Sequence, residues 1–151
     1  MTWVLNIALR VPSANDRHCN GRDRVSRALY RKLRDRWARE LRIEASIVNA
    51  QRAGSRKRRI VLTRIMAPRQ RPYDFDDLVG GCKPILDAMK PERPPRVATI
   101  KSGPHKGKPR VFPGVTGAGL IVDDSPKWVV VEYRQERGPR EGCRIELEDL
   151  P

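Results

Sequence analysis

The chain reads as an α+β domain, a mixed β-sheet covered by two principal helices in the order β-α-β-α-β-β-β. Three observations predict this. Apolar and polar residues alternate at Trp3, Leu5, Ile7, Leu9 and Val11, and again at Cys143, Ile145 and Leu147, which is the two-residue period of a half-buried strand. Between about Val25 and Ile47 the apolar residues Leu29, Leu33, Trp37 and Leu41 recur in steps of four, the stripe of a helix lying on a core. A second helical pattern, Leu78, Cys82, Ile85, Leu86 and Met89, follows an intervening strand-like run, and strands interleaved with helices build layered sheet-and-helix domains.

In chain order, the first strand covers residues 3–11 and stops at Pro12, after which Pro12-Ser13-Ala14-Asn15-Asp16 reads as a turn. Tyr30 and Ala45 widen the apolar stripe of the first helix, while Arg27, Arg31, Lys32, Arg34, Arg36 and Arg39 occupy its other face. Two readings of that basic face stand level, ordinary solvation and contact with DNA. Gln51 to Arg58 is a polar break, and Arg59 to Met66 reads as the second strand. Tyr73 to Asp77 looks extended and leads into the second helix, which runs through Lys90. Gly80-Gly81 weaken that helix and Pro84 removes a backbone donor, which predicts an irregular or kinked first turn.

Residues 91–117 carry no apolar periodicity. Their charges are Arg93, Arg96, Lys101, Lys106, Lys108 and Arg110 against the single Glu92, and the segment is expected to be a flexible basic loop, either a flap over a phosphate substrate, which the flanking acidic residues favour, or a solvated insertion. Lys101, Lys106, Lys108 and Arg110 are its candidate DNA contacts. Leu120-Ile121-Val122 reads as a short strand ending in Asp123-Asp124-Ser125-Pro126. Lys127 to Arg134 is strongly β-prone, and Gly138-Pro139 marks the connection to the final strand. With no internal repeat and no boundary signal, residues 1–151 are taken as one domain.

A chain of 151 residues buries one modest core. Its 32 Lys and Arg against 18 Asp and Glu leave a formal charge of +14, a field that attracts polyanions, nucleic acid first among them. No run approaches the roughly 20 apolar residues of a membrane span, and the N-terminus lacks the pattern of a signal peptide, so no membrane partner and a cytoplasmic location are expected. Cys19, Cys82 and Cys143 share no CxxC spacing, which predicts three reduced thiols rather than a disulfide or a structural zinc site. Trp3, Trp37 and Trp128 are read as core residues before interface residues.

In so basic a chain, clustered carboxylates need a reason. Asp74 and Asp76 lie two apart in a segment read as extended, so both side chains leave one face. Two such carboxylates repel unless a cation sits between them, and their hard oxygens suit Mg²⁺ or Mn²⁺, ions that activate water and neutralise charge in phosphodiester cleavage. Singly, each acidic motif is more often structural: Asp76 or Asp77 is placed to cap the following helix, and Asp123-Asp124 before Ser-Pro suits a turn. Along the helix, however, Asp76, Gly80, Lys83 and Asp87 fall on one stripe, apart from the apolar one. Lys83 has two readings there, an i,i+4 partner of Asp87 or a contact to the scissile phosphate.

The run Asp74-Phe75-Asp76-Asp77-Leu78 with Lys83 and Asp87-Ala88-Met89, followed by Gly119-Leu120-Ile121-Val122-Asp123-Asp124-Ser125, resembles the RusA family of Holliday-junction resolvases from bacteria and their prophages. That resemblance implies a homodimeric, Mg²⁺-dependent endonuclease that nicks four-way DNA junctions symmetrically. It also implies that Asp74, Asp76 and Asp124 bind metal and that Lys83 is the catalytic lysine; the neighbouring Asp77, Asp87 and Asp123 are taken as supporting carboxylates. The chain departs from the family pattern in having Asp77 where Asn is usual, in its long loop after Lys90, and in a spacing to Lys83 longer by roughly one helical turn. Against this stand a non-catalytic DNA-binding protein of a prophage, and a nuclease of the same fold acting on flaps or forks.

Overall fold

A computed structural model describes residues 1–20 and 23–151 and shows an α+β fold. Strand β1 (Thr2–Ile7) is followed by helices α1 (Arg17–Asn20) and α2 (Arg24–Ile47), then strand β2 (Arg58–Met66) and helix α3 (Phe75–Met89). Strands β3 (Arg96–Thr99), β4 (Pro109–Phe112), β5 (Val129–Arg137) and β6 (Gly142–Asp149) complete the chain. The main sheet has the order β1–β6–β2–β5, with β6 antiparallel to both β1 and β2, and β2 parallel to β5. A parallel pair cannot be joined by a hairpin, and here α3 and the segment after it make the crossover.

The alternation read in β1 is the register of the sheet. Trp3, Leu5 and Ile7 face inward opposite Leu147, Ile145 and Cys143, and Ile145 in turn faces Leu62 of β2. Against this row pack Trp37 and Leu41 of α2 with Ile85 and Met89 of α3, all fully buried in one cluster. Each large side chain so enclosed contributes about 1.5–3 kcal/mol of burial. Trp3 and Trp37 are core residues, and Trp128 packs partly buried against them. One cation shares the interior: the fully enclosed Arg58 donates from Nε to Asp149 at 2.7 Å and from Nη1 to the Leu120 carbonyl at 2.7 Å. It lies 4.9 Å over the Trp3 ring. All three cysteines are free thiols.

Both long helices have local causes. At α2, the Asp23 carboxylate accepts the Ser26 N–H at 2.8 Å and its hydroxyl at 3.1 Å, satisfying donors the helix start leaves free. In α3 the helix runs unbroken through Gly80, Gly81 and Pro84, so the irregular first turn expected from these residues is absent. The glycines are there for close packing: a Cβ on Gly81 would lie 1.8 Å from the Pro12 carbonyl oxygen, and one on Gly80 2.6 Å from the Ala14 Cβ.

Elsewhere the structure departs from the sequence expectations. β1 stops at Ile7, whose partner Cys143 is one residue from the start of β6 at Gly142; beyond it the Val11 carbonyl accepts the Tyr73 hydroxyl at 3.1 Å. The 91–117 segment is not a structureless loop. It folds back as the β3–β4 hairpin, with Val97 paired to Val111 and a further bridge between Arg93 and Val115. Both valines are exposed, so the hairpin has no core face to impose a hydrophobic period. Residues 120–122 form no strand, because the backbone donors of this segment are spent on a helix end. Ala118 N–H donates to Ala88, Gly119 to Lys90, and Leu120 and Ile121 both to Met89, at 2.8, 3.0, 2.8 and 3.1 Å. No helix among the described residues is long and apolar enough to cross a membrane.

Candidate active site

The last carbonyls of an α-helix have no partner within the helix. Residues 118–121 supply the partners at the end of α3, and this strap also decides where Asp123 and Asp124 go. It is clamped from both sides. Arg42 of α2 donates to the Gly117 carbonyl from Nε at 2.9 Å and from Nη2 at 2.7 Å, and Arg58 holds the Leu120 carbonyl from within the sheet. Leu120 and Ile121 are buried, so the chain emerges onto the polar stripe of α3 at Asp123.

There Asp124 meets two lysines of that stripe. Its carboxylate contacts Lys83 Nζ and lies 2.8 Å from Lys90 Nζ. Asp87, between the lysines on the helix, is 3.3 Å from Lys83 and 2.9 Å from Lys90, and it accepts the Tyr30 hydroxyl from α2. Asp123 is 3.5 Å from Lys90. Two ammonium groups are thus laced between Asp87 and Asp124, with Lys90 the more enclosed.

The charges hold one another in their ionised forms. Partial burial pushes the Asp124 carboxyl up, but hydrogen bonds and charge from Lys83 and Lys90 outweigh it and leave it far below the usual carboxylate range. Asp87 is likewise lowered, burial being overcome by the Tyr30 hydroxyl and both lysines. Lys83 and Lys90 are raised: burial favours the neutral amine, and the carboxylates more than reverse it. Tyr30 is pushed well above the ordinary tyrosine range by burial and then by Asp87, so it remains a donor.

The other predicted acids sit at the opposite end of α3. Asp74 is its N-cap residue, extended at φ −60° and ψ 158°, and Asp76 already lies in the first helical turn. The expectation that the two project from one face of an extended segment is therefore corrected. Neither carboxylate is hydrogen-bonded or ion-paired among the described residues, and both are exposed. Asp77 takes two hydrogen bonds from the Asn15 amide, at 2.9 and 3.0 Å. Phe75, between the two aspartates, meets Tyr133 of β5 edge to face at 6.3 Å. Asp76 and Lys83 are seven residues apart, roughly 10 Å along the helix axis. Among the described residues no three His, Cys, Asp or Glu side chains converge as a metal-holding group.

Lys101, Lys106, Lys108 and Arg110 all lie on the hairpin, exposed and without an ion-pair partner among the described residues. Sequence reasoning passed over Lys90, Tyr30 and Asn15. Lys90 was findable, since the stripe Asp76, Gly80, Lys83, Asp87 continues to position 90 by the same spacing. Tyr30 and Asn15 meet their aspartates across 57 and 62 residues, and no local pattern marks such a contact. Comparison with protein-family models, curated proteins and solved structures finds no match for this chain.

Proposed function

We propose that this chain is a Mg²⁺-dependent endonuclease that nicks four-way or otherwise branched DNA in the cytoplasm, acting as a homodimer, as the RusA resemblance implies. The observation that carries the reading is the contact between Lys83 and Asp124, side chains 41 residues apart. That contact brings the second acidic motif to the α3 stripe that carries Lys83 and, roughly 10 Å away at the helix start, Asp76. A +14 chain with unpaired hairpin cations supplies the electrostatic attraction for the substrate.

The donor chemistry suits a hard divalent cation. Asp74 and Asp76 offer carboxylate oxygens that no other described side chain engages, whereas Asp124, toward the far end of α3, offers its oxygens only when its ammonium partners turn to substrate phosphate. Bound Mg²⁺ would supply an activated water and neutralise charge on the reacting phosphate. Lys83, held charged by its carboxylates, provides a mobile ammonium for a phosphate oxygen; Tyr30 and Lys90 fix Asp87 and so keep the base of that lysine in place.

A non-catalytic DNA-binding protein is the second reading, favoured by the same geometry: Asp124 is already neutralised by two lysines. A synthetic four-way junction, incubated with and without Mg²⁺ beside a linear duplex of the same sequence, separates the two. Metal-dependent nicking of the junction that disappears in Asp76→Asn and Asp124→Asn is expected. Salt-sensitive binding without cleavage in any divalent ion establishes the second reading. Equal cutting of the linear duplex removes the junction preference and leaves the nuclease.

A further inference from the structure

A surface groove of about 550 Å³ is lined by Cys19, Arg24, Arg27, Tyr30, Arg31 and Arg110. Four of its walls are guanidinium groups. Arg24, Arg27 and Arg31 come from one face of α2, and Arg110 comes from the β3–β4 hairpin, which forms the opposite wall. None of the four is ion-paired or hydrogen-bonded through its side chain among the described residues, and all are exposed. Sixteen ion-pair contacts are made elsewhere among the described residues, whereas these four neighbouring cations are left to water and open to a polyanion. Cys19 does not oppose one: burial pushes its thiol up to about 11, so it is uncharged at neutral pH.

We propose that this groove is a track for the phosphodiester backbone of one nucleic-acid strand, gripped without regard to base sequence and led toward the Lys83–Asp87–Asp124 cluster. Two features choose this ligand over an acidic protein. Arg24, Arg27 and Arg31 lie roughly 4.5 and 6 Å apart along a rigid helix, and a strand in a duplex presents a charge about every 3.4 Å of axis, so the three guanidiniums have three or four phosphates within their roughly 10 Å span. Among the described residues the lining also carries no aliphatic side chain, and the hydroxyl of its one aromatic, Tyr30, is already given to Asp87. Tyr30 gives the track its direction, for it borders the groove while its hydroxyl donates to Asp87. Only that direction rests on the nuclease reading; the grip itself does not.

Binding is measured by fluorescence anisotropy with the full chain, a labelled single-stranded oligonucleotide and a labelled four-way junction, in EDTA, across a salt series. Each phosphate contact removed should lower the slope of log affinity against log salt by about 0.7–0.9, and weaken binding at 0.1 M salt on the order of fivefold to eightfold relative to 1 M salt. Arg27→Ala and Arg31→Ala should show this for several oligonucleotide sequences alike, and their double variant about twice the change in slope. Arg140→Ala, which removes an exposed charge from the β5–β6 connection, should change the slope much less. Alkylation of Cys19 by iodoacetamide at pH 8.5 tests the location in the unaltered protein, and saturating oligonucleotide should slow it several-fold. Groove variants no weaker than Arg140→Ala, or an alkylation rate that DNA leaves unchanged, would overturn the proposal. So would displacement by polyglutamate as effective, charge for charge, as by unlabelled DNA, which assigns the groove to an acidic protein. A protein that never nicks in Mg²⁺ but passes these tests loses the nuclease reading and keeps the track.

Discussion

Gly117→Ala tests whether the strap over the end of α3 sets the position of Asp124. A Cβ at residue 117 would lie 2.1 Å from the Lys90 carbonyl oxygen, 2.8 Å from the Pro91 carbonyl carbon and 2.9 Å from the Glu92 nitrogen, all backbone atoms. Ordinary contact begins at 3.4 Å, so the strap must retreat by about 1.3 Å. The retreat cannot stay local, since Arg42 holds the Gly117 carbonyl and the next donors hold the carbonyls of Ala88, Met89 and Lys90. Hydrogen bonds of 2.8–3.1 Å stretched by that much are broken. Two or three such losses cost about 2–4 kcal/mol, which for a chain of this length lowers Tm by roughly 5–15 °C. Urea and thermal unfolding read the loss directly, with Gly54→Ala as the comparison. Gly54 has φ +58° and nothing within 4 Å of its Cβ position, so that change carries backbone strain of about 1–2 kcal/mol and no collision. In the junction assay, a displacement near 1 Å at Asp124 should reduce nicking about a hundredfold. A Gly117→Ala protein as stable as Gly54→Ala would refute the account of the strap.

The Asp124 carboxyl titrates lower in the folded protein than in the unfolded chain, whose value is near 3.9, so its contribution is complete above that pH and is lost as pH falls through the depressed folded value. The stability difference between wild type and Asp124→Asn, from urea midpoints in EDTA, should therefore shrink between about pH 5 and pH 2; a difference independent of pH contradicts the ion-pair assignment. Arg58→Ala removes the buried partner of Asp149 and of the Leu120 carbonyl and should cost about 3–5 kcal/mol in urea unfolding. Arg58→Met, which keeps an apolar stem beside Trp3, should recover a measurable part of that loss.

Periodicity alone determined the α+β class, the two helices and the inward faces of β1 and β6. Burial imposes its pattern on every residue of such an element, as at Trp3, Leu5 and Ile7 or at Trp37 and Leu41. Chemistry that follows a helical stripe was legible too, and Lys83 and Asp87 meet as their four-residue spacing requires. What the pattern misread were segments whose partners are not regular elements. Gly80 and Gly81 resemble helix weakeners until Pro12 and Ala14 are seen against them. Leu120 and Ile121 have a strand's composition, yet their N–H groups cap α3. The hairpin at 96–112 has no buried face, so no period announces it. Tertiary structure alone decided that Asp124 lies on Lys83 and Lys90 rather than beside Asp74 and Asp76. A helix end leaves carbonyls that some other part of the chain must satisfy, and the segment that satisfies them here carries Asp124 with it.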